Sequence, residues 1–213
     1  LWLTGGSGGY YDVYKGDTFL IAGTGCIWGG GASDYAAVAT FDVSNQSLIT
    51  NFNFLDKFKN ATRLLLNGNN ITLVNLLQNT LLEYCFLFDN SNFQILNISN
   101  NVNLIVLDVY RCDLPSIDLS TNLQLQEVRI YQNALEILDI SNNVNLTVLS
   151  CQGNQILTLD LSSNTLLNDV TLLNNKLSNL TNSQILIDLD NHGLSNGYLN
   201  SSSFGGGTLT TAG

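Results

Sequence analysis

Residues Asn145 to Thr165 read NLTVLSCQGNQILTLDLSSNT, and the middle of the chain repeats their plan at one fixed interval. A step of 21 in either direction from Asn154 lands on Asn133 and Asn175. The same step joins Asn122, Asn143 and Asn164, and it joins Asp118, Asp139 and Asp160. A fixed period of roughly 20 to 50 residues marks a solenoid, in which each unit buries its apolar face only against the next.

Worked outward from that stretch, the units fall at 60–80, 81–102, 103–123, 124–144, 145–165 and 166–186. The second carries one extra residue near Ser91-Asn92. Two apolar columns run through them: Leu64, Cys85, Leu107, Val128, Leu149 and Val170, then Leu66, Leu87, Val109, Ile130, Cys151 and Leu172. Alternation with period two predicts a short strand with one face inside. Stacked units then give a parallel sheet with strands about 4.8 Å apart. The column Asn69, Asn90, Cys112, Asn133, Asn154 and Asn175 sits where a turn leaves backbone groups without a strand partner. An asparagine amide can both donate to and accept from such groups. The second half of each unit, LDLSxN as in Leu159 to Asn164, is too short for an α-helix and predicts short β or 3-10 structure on the convex side.

Leu146, Leu149, Cys151, Asn154 and Ile156 spell LxxLxCxxNxI, which resembles the LxxLxLxxNxL pattern of the leucine-rich repeat family. The short form of the repeat with LDLS is similar to repeats of bacterial surface proteins, including the internalin-like group. The fold class expected is therefore mainly β, a leucine-rich repeat solenoid with a parallel concave sheet and a β-rich N-terminal cap segment. Residues 1–59 depart from the period, with glycine clusters between β-prone runs that predict strands and hairpins. The runs TFLIAG and AAVATFDVSNQSLITNFN are similar to one blade of a β-propeller repeat, so this segment is expected to be a cap or the end of an upstream domain. Residues 187–213 are expected to form a closing turn and tail. That tail is similar to those after such repeats in bacterial and phage proteins, where the chain normally continues.

Composition narrows the function classes. Seventeen acids against seven bases give a net charge of −10, which argues against nucleic acid or an anionic membrane as partner. No apolar run reaches the length of a membrane span. The tract GTGCIWGGG lacks the lysine and Ser/Thr of a phosphate loop. Cys26, Cys85, Cys112 and Cys151 show no CxxC spacing. Cys85 and Cys151 stand in the inward columns, and Cys112 takes the place of a ladder asparagine, so buried free thiols are expected. His192 is the only histidine and no nucleophile has a paired base at a motif spacing, so no catalytic residue, metal ligand or cofactor is expected. The Asp118, Asp139 and Asp160 column predicts carboxylates bonded to turn backbone rather than a cation ladder.

The outward positions of the concave strands carry the functional candidates. Tyr84, Phe86, Phe88, Tyr110 and Tyr131 cluster on three adjacent units where polar residues are the norm, with Asp108 and Arg129 paired beside them. Exposed aromatic patches mark binding surfaces, and solenoids bind on their concave face. Aromatic side chains that merely stack along parallel strands are the other reading. The expectation is an extracellular, cell-surface or virion module that binds a protein or glycan. The alternative is a rigid spacer in a virion appendage or extracellular fibre.

Overall fold

The computed structural model describes residues 38–45 and 55–193 in full, and elsewhere the backbone of short strands only. Cys26, the tract GTGCIWGGG and the tail after Asn200 lie outside the described residues. In chain order the strands are β1 (Trp2–Thr4), β2 (Tyr10–Asp12), β3 (Thr18–Leu20), β4 (Thr40–Asp42), β5 (Asn51–Phe52), β6 (Arg63–Leu65), β7 (Leu73–Val74), β8 (Tyr84–Phe86), β9 (Val106–Asp108), β10 (Glu127–Arg129), β11 (Val148–Ser150), β12 (Asp169–Thr171) and β13 (Tyr198–Asn200). A helix, α1, spans Asn179–Asn191. The main sheet has the order β13-β12-β11-β10-β9-β8-β6-β4-β3, with every neighbour parallel.

The register puts one inward residue opposite the next, from Phe41 through Leu64, Cys85, Leu107, Val128 and Leu149 to Val170. These side chains are buried, and they join the second apolar column in a single core running from Val38 to Leu189. Hydrogen bonding continues past the short strands. Leu66, Leu87, Val109, Ile130 and Cys151 each donate their N–H to the following coil at 2.8–3.0 Å. So do Gly68, Asp89, Arg111, Gln132 and Gly153, two places further on, at 2.7–3.0 Å. This second set sits where the chain turns, and every member has a left-handed backbone, with φ between 52° and 69°. Only Gly68 and Gly153 adopt that conformation without a Cβ penalty.

The ladder asparagines hold the turn that follows. Asn154 donates to Ile130 O at 3.0 Å on the preceding coil and to Cys151 O at 2.9 Å on its own. Its Oδ1 accepts the Leu135 N–H at 3.1 Å. Asn90, Asn133 and Asn175 repeat the pattern. Cys112 has no oxygen to offer, so the preceding coil needs another acceptor for its N–H. With the inserted residue near Ser91-Asn92 the chain turns back on itself, and Phe93 N–H bonds to the Asn90 carbonyl of its own coil at 2.9 Å. The cysteine and the insertion are thus one adjustment.

A second amide column lies across the core. Asn79, Asn101, Asn122, Asn143 and Asn164 each donate to two carbonyls of the preceding coil at 2.8–3.1 Å. Between the two columns the chain makes Asx turns, in which Asp118, Asp139 and Asp160 accept the N–H of Ser120, Ser141 and Ser162 at 2.9–3.0 Å. Among the described residues, convex strand pairing is confined to β5 with β7 and a bridge from Leu73 to Ile95, with a 3-10 helix at Leu55–Phe58.

Two features differ from the sequence expectation. β1 and β2 pair antiparallel, as hairpin strands do, but β3 and β4 pair parallel and extend the solenoid sheet N-terminal of the first regular unit. The step from Thr18 to Thr40 is one longer than the regular one, and that from Thr40 to Arg63 is two longer. A search at the fixed period passes over both. At the other end, α1 replaces the convex half of the expected sixth unit and its closing turn. Thr181 stands where the next Asx-turn aspartate would be, so the Asx turn is lost, and Asn182 and Ile185 stand where an inward leucine and a second-column asparagine would be. Ser178 instead caps a helix by accepting the Thr181 N–H at 3.1 Å, and neither Gly nor Pro interrupts it before Gly193. β13 then rejoins the sheet, with Tyr198 opposite Asp169.

Two measurements check this frame. Asn154→Ala orphans buried backbone groups on two coils and is expected to cost about 1–3 kcal/mol in urea denaturation. The exposed control Ser163→Ala is expected to shift stability by less than about 0.5 kcal/mol; equal effects would refute the inward assignment. Cys85, Cys112 and Cys151 are buried and free, and burial pushes their thiols up to about 12. In a Cys26→Ser background all three are expected to ignore a thiol reagent until the protein is denatured, and rapid native labelling would contradict the structure.

Candidate binding face of the sheet

Parallel register turns each outward position into a column one strand spacing deep. The last column, just beyond the strands, holds Phe88, Tyr110 and Tyr131. Phe88 and Tyr110 stack with ring centroids 4.5 Å apart and planes at 8°, and Tyr110 and Tyr131 stack at 4.1 Å and 10°. The three rings form one half-buried pile, and both faces of the central ring, Tyr110, are taken by its neighbours. Burial, then the neighbouring Tyr131 hydroxyl, pushes the Tyr110 phenol above its ordinary range. Tyr110 is therefore a hydrogen-bonding group at neutral pH, not a base.

Tyr84 and Phe86, on β8, belong to the two columns inside the strands and are half-buried. The Arg63 guanidinium lies 4.3 Å from the Tyr84 ring centroid and 5.9 Å from that of Phe86. These rings therefore meet a cation rather than the aromatic pile. The sequence places Arg63 in the outward column but gives it no role. Sequence reasoning also misses Arg111, which reaches Asp89 at 3.3 Å and Gln132 at 2.8 Å and lies 5.8 Å from the Tyr110 centroid. Arg111, Asp89 and Gln132 share the left-handed column, one place beyond the aromatic row. The repeat period carries that signal.

Asp108 and Arg129 pair at 3.2 Å, and Arg129 also holds Glu127 at 2.8 Å. The pair is less exposed than a surface ion pair, since Val106 and Asp108 on β9 are both buried despite their outward positions. Burial raises the Asp108 carboxyl, while Arg129 opposes the shift. On the convex side Asp118, Asp139 and Asp160 are exposed, and hydrogen bonds from their serine partners hold all three carboxyls below the usual range. His192 closes the C-terminal end of α1, its N–H donating to Asp188 O at 3.0 Å. Among the described residues no three His, Cys, Asp or Glu side chains converge, and no helix is long and apolar enough to cross a membrane.

The sheet face thus gathers aromatic rings, phenol hydroxyls, guanidinium groups and paired carboxylates within four adjacent coils. Such a surface is suited to recognition by contact. The Asp108 and Arg129 pair fixes its centre, and Arg111 with its partners forms a polar rim.

No protein-family model matches the sequence, and no curated protein matches it. Solved structures do. Internalin C2 from Listeria monocytogenes superimposes with a TM-score of 0.64 over 83% of this chain and 74% of its own, at 20% identity. Internalin F from the same organism gives 0.61 over 79% and 56%, at 17% identity. TLR13, in its complex with ssRNA13, gives 0.56 over 68% of this chain and 23% of its own, at 20% identity. Likeness at these identities is a statement about architecture. The parallel sheet, the asparagine ladder and these superpositions give one conclusion: the chain has the leucine-rich repeat solenoid fold found in the internalins.

Proposed function

We propose that this chain is a protein-binding leucine-rich repeat module acting outside the cell, at a cell surface or on a virion. Its docking surface is the sheet face carrying Tyr84, Phe86, Phe88, Asp108, Tyr110, Arg129 and Tyr131. The observation that carries the proposal is the pile of three half-buried rings, stacked face to face, between Arg111 and the Asp108–Arg129 pair. Tyrosine and arginine are the residue types that anchor protein interfaces, and here neighbouring coils immobilise them before any partner arrives.

The stacking favours protein over glycan. A sugar ring is recognised through the open face of an aromatic ring, and stacking takes both faces of Tyr110 and one face each of Phe88 and Tyr131. A protein partner can instead use the ring edges, the hydroxyls and the guanidinium groups. Charge disfavours RNA, because a chain of net charge −10 gains nothing from a phosphate backbone. The resemblance of the repeats to bacterial surface proteins supports the extracellular setting.

The test pairs Tyr110→Ser/Tyr131→Ser with Ser163→Ala in a binding screen against a panel of displayed extracellular proteins, with melting followed in parallel. The double variant loses two ring contacts, each worth about 0.5–1.5 kcal/mol, so its melting temperature is expected to fall modestly while it stays folded. Binding to any partner found is expected to weaken by about 2 kcal/mol or more, roughly 30-fold, and the control is expected to bind like the wild type. A folded double variant that binds with undiminished strength would move the contact elsewhere and leave the rigid-spacer reading in front.

A further inference from the structure

The chain holds three arginines, Arg63, Arg111 and Arg129, and all of them stand on the sheet face or its rim. The described lysines, Lys57, Lys59 and Lys176, lie outside the strands. Two of the arginines are neutralised by the chain's own carboxylates. Arg111 reaches Asp89 at 3.3 Å, and Arg129 reaches Asp108 at 3.2 Å and Glu127 at 2.8 Å. Arg63 is the exception: among the described residues its guanidinium has neither an ion pair nor a hydrogen-bond acceptor. Asp42 on β4 and Glu83 just ahead of β8 flank it, and neither pairs with it. The Asp42 carboxylate turns to its own coil instead, where Oδ1 accepts the Ser44 N–H at 2.9 Å.

What holds Arg63 is aromatic. The parallel register sets it opposite Tyr84 on the next coil. Its guanidinium carbon lies 4.3 Å from the Tyr84 ring centroid and 5.9 Å from that of Phe86. All three side chains are half-buried. A ring attracts a guanidinium through its negative face but accepts none of the in-plane N–H donors. A half-buried cation without a counter-charge also keeps part of its desolvation cost. The group is therefore positioned, charged and unsatisfied, one coil before the aromatic pile begins at Phe88. Those are the properties of an anchor. A guanidinium fixed in this way matches the two oxygens of a carboxylate with two parallel hydrogen bonds, which an ammonium group cannot do.

We propose that Arg63, held on Tyr84 and Phe86, is the subsite that takes an aspartate or glutamate side chain of the protein partner. The inference rests on the sheet face being the docking surface. Charge complementarity carries it. The other two guanidinium groups on this face each take a carboxylate from a neighbouring coil, and for Arg63 the described chain supplies none. The net charge of −10 repels an acidic partner at long range, but salt screens that field over about 8 Å. Contact therefore decides, and a single carboxylate seated on Arg63 gains an immobilised, partly desolvated counter-charge. The aromatic pile then supplies apolar contact beside a charged one, and the charged one selects among partners.

A random-peptide library displayed on phage and selected on the intact chain supplies the probe. Peptides retained by the wild type and lost on Tyr110→Ser/Tyr131→Ser are the binders of the sheet face. They are expected to share an acidic residue. For the tightest of them, Arg63→Gln in the chain and the acid-to-amide change in the peptide are each expected to weaken binding at least about tenfold. Combined, the two changes are expected to cost no more than either alone, because they remove one and the same contact. Arg63→Lys keeps the charge without the fork and is expected to lose most of the same factor. Both Arg63 variants are expected to stay folded by circular dichroism, and the peptide change tests the contact on the unaltered chain. Sheet-face binders without a shared acid, or losses that simply add, would overturn the inference and leave the docking surface standing. Binders indifferent to Tyr110→Ser/Tyr131→Ser, or no binders at all, would remove the docking surface and this subsite with it.

Discussion

The structure depends on a side-chain amide standing in for backbone where the sheet ends. A solenoid coil must turn repeatedly inside a protein interior, and each turn buries N–H and C=O groups that no strand can reach. Asn154 answers this with three hydrogen bonds, two of them to the coil before it. The second column, Asn79 to Asn164, does the same at the opposite side of the core using its Nδ2 alone, and its Oδ1 atoms are buried without partners. Because these bonds join neighbouring coils, they set the register between coils as well as the shape of each one. Cys112 shows how strict the requirement is. Losing one acceptor oxygen there is matched by an inserted residue in the preceding coil that brings a backbone carbonyl to the orphaned N–H.

Register fixed in this way also creates the aromatic pile. Parallel strands about 4.8 Å apart place equivalent side chains close to ring-stacking distance. Phe88, Tyr110 and Tyr131 tilt slightly to close that spacing to 4.5 and 4.1 Å. Stacking and display are therefore not competing explanations of the same residues. The pile rigidifies the rings and takes up both faces of the central one, Tyr110. The same columns make Asp108 and Arg129 neighbours, and the crowding of adjacent coils buries Asp108 on a face where an isolated strand would leave it wet.

The ends of the array obey the same physics with different parts. β3 and β4 continue the sheet with steps longer than the regular one, and the inward residue Phe41 still faces Leu64. At the other end Ile185 replaces an asparagine, and the second ladder stops. A helix is the remaining way to satisfy backbone groups without help from a neighbouring coil, and α1 takes over. The docked face of α1 carries two buried polar residues, Asn182 and Asp188, whose side chains keep atoms without a hydrogen-bond partner.

The sequence by itself determined the period, the inward columns, the parallel sheet and the aromatic row. All of these follow from residue identity recurring at one spacing, and equivalent residues in a solenoid must meet. Within that frame Tyr84, Phe86, Phe88, Asp108, Tyr110, Arg129 and Tyr131 could be named as one face. Only the tertiary structure decided what happens between columns and at departures from the period. The direction of the Phe88, Tyr110 and Tyr131 rings, the capture of Tyr84 by Arg63, the burial of Asp108 and the bridging by Arg111 depend on distances across coils that no spacing encodes. The helix at Asn179–Asn191 was hidden for the converse reason. It forms where the repeating signal fails, and the burial of its Ile185 and Leu189 is set by the packing of a helix on a coil rather than by any period.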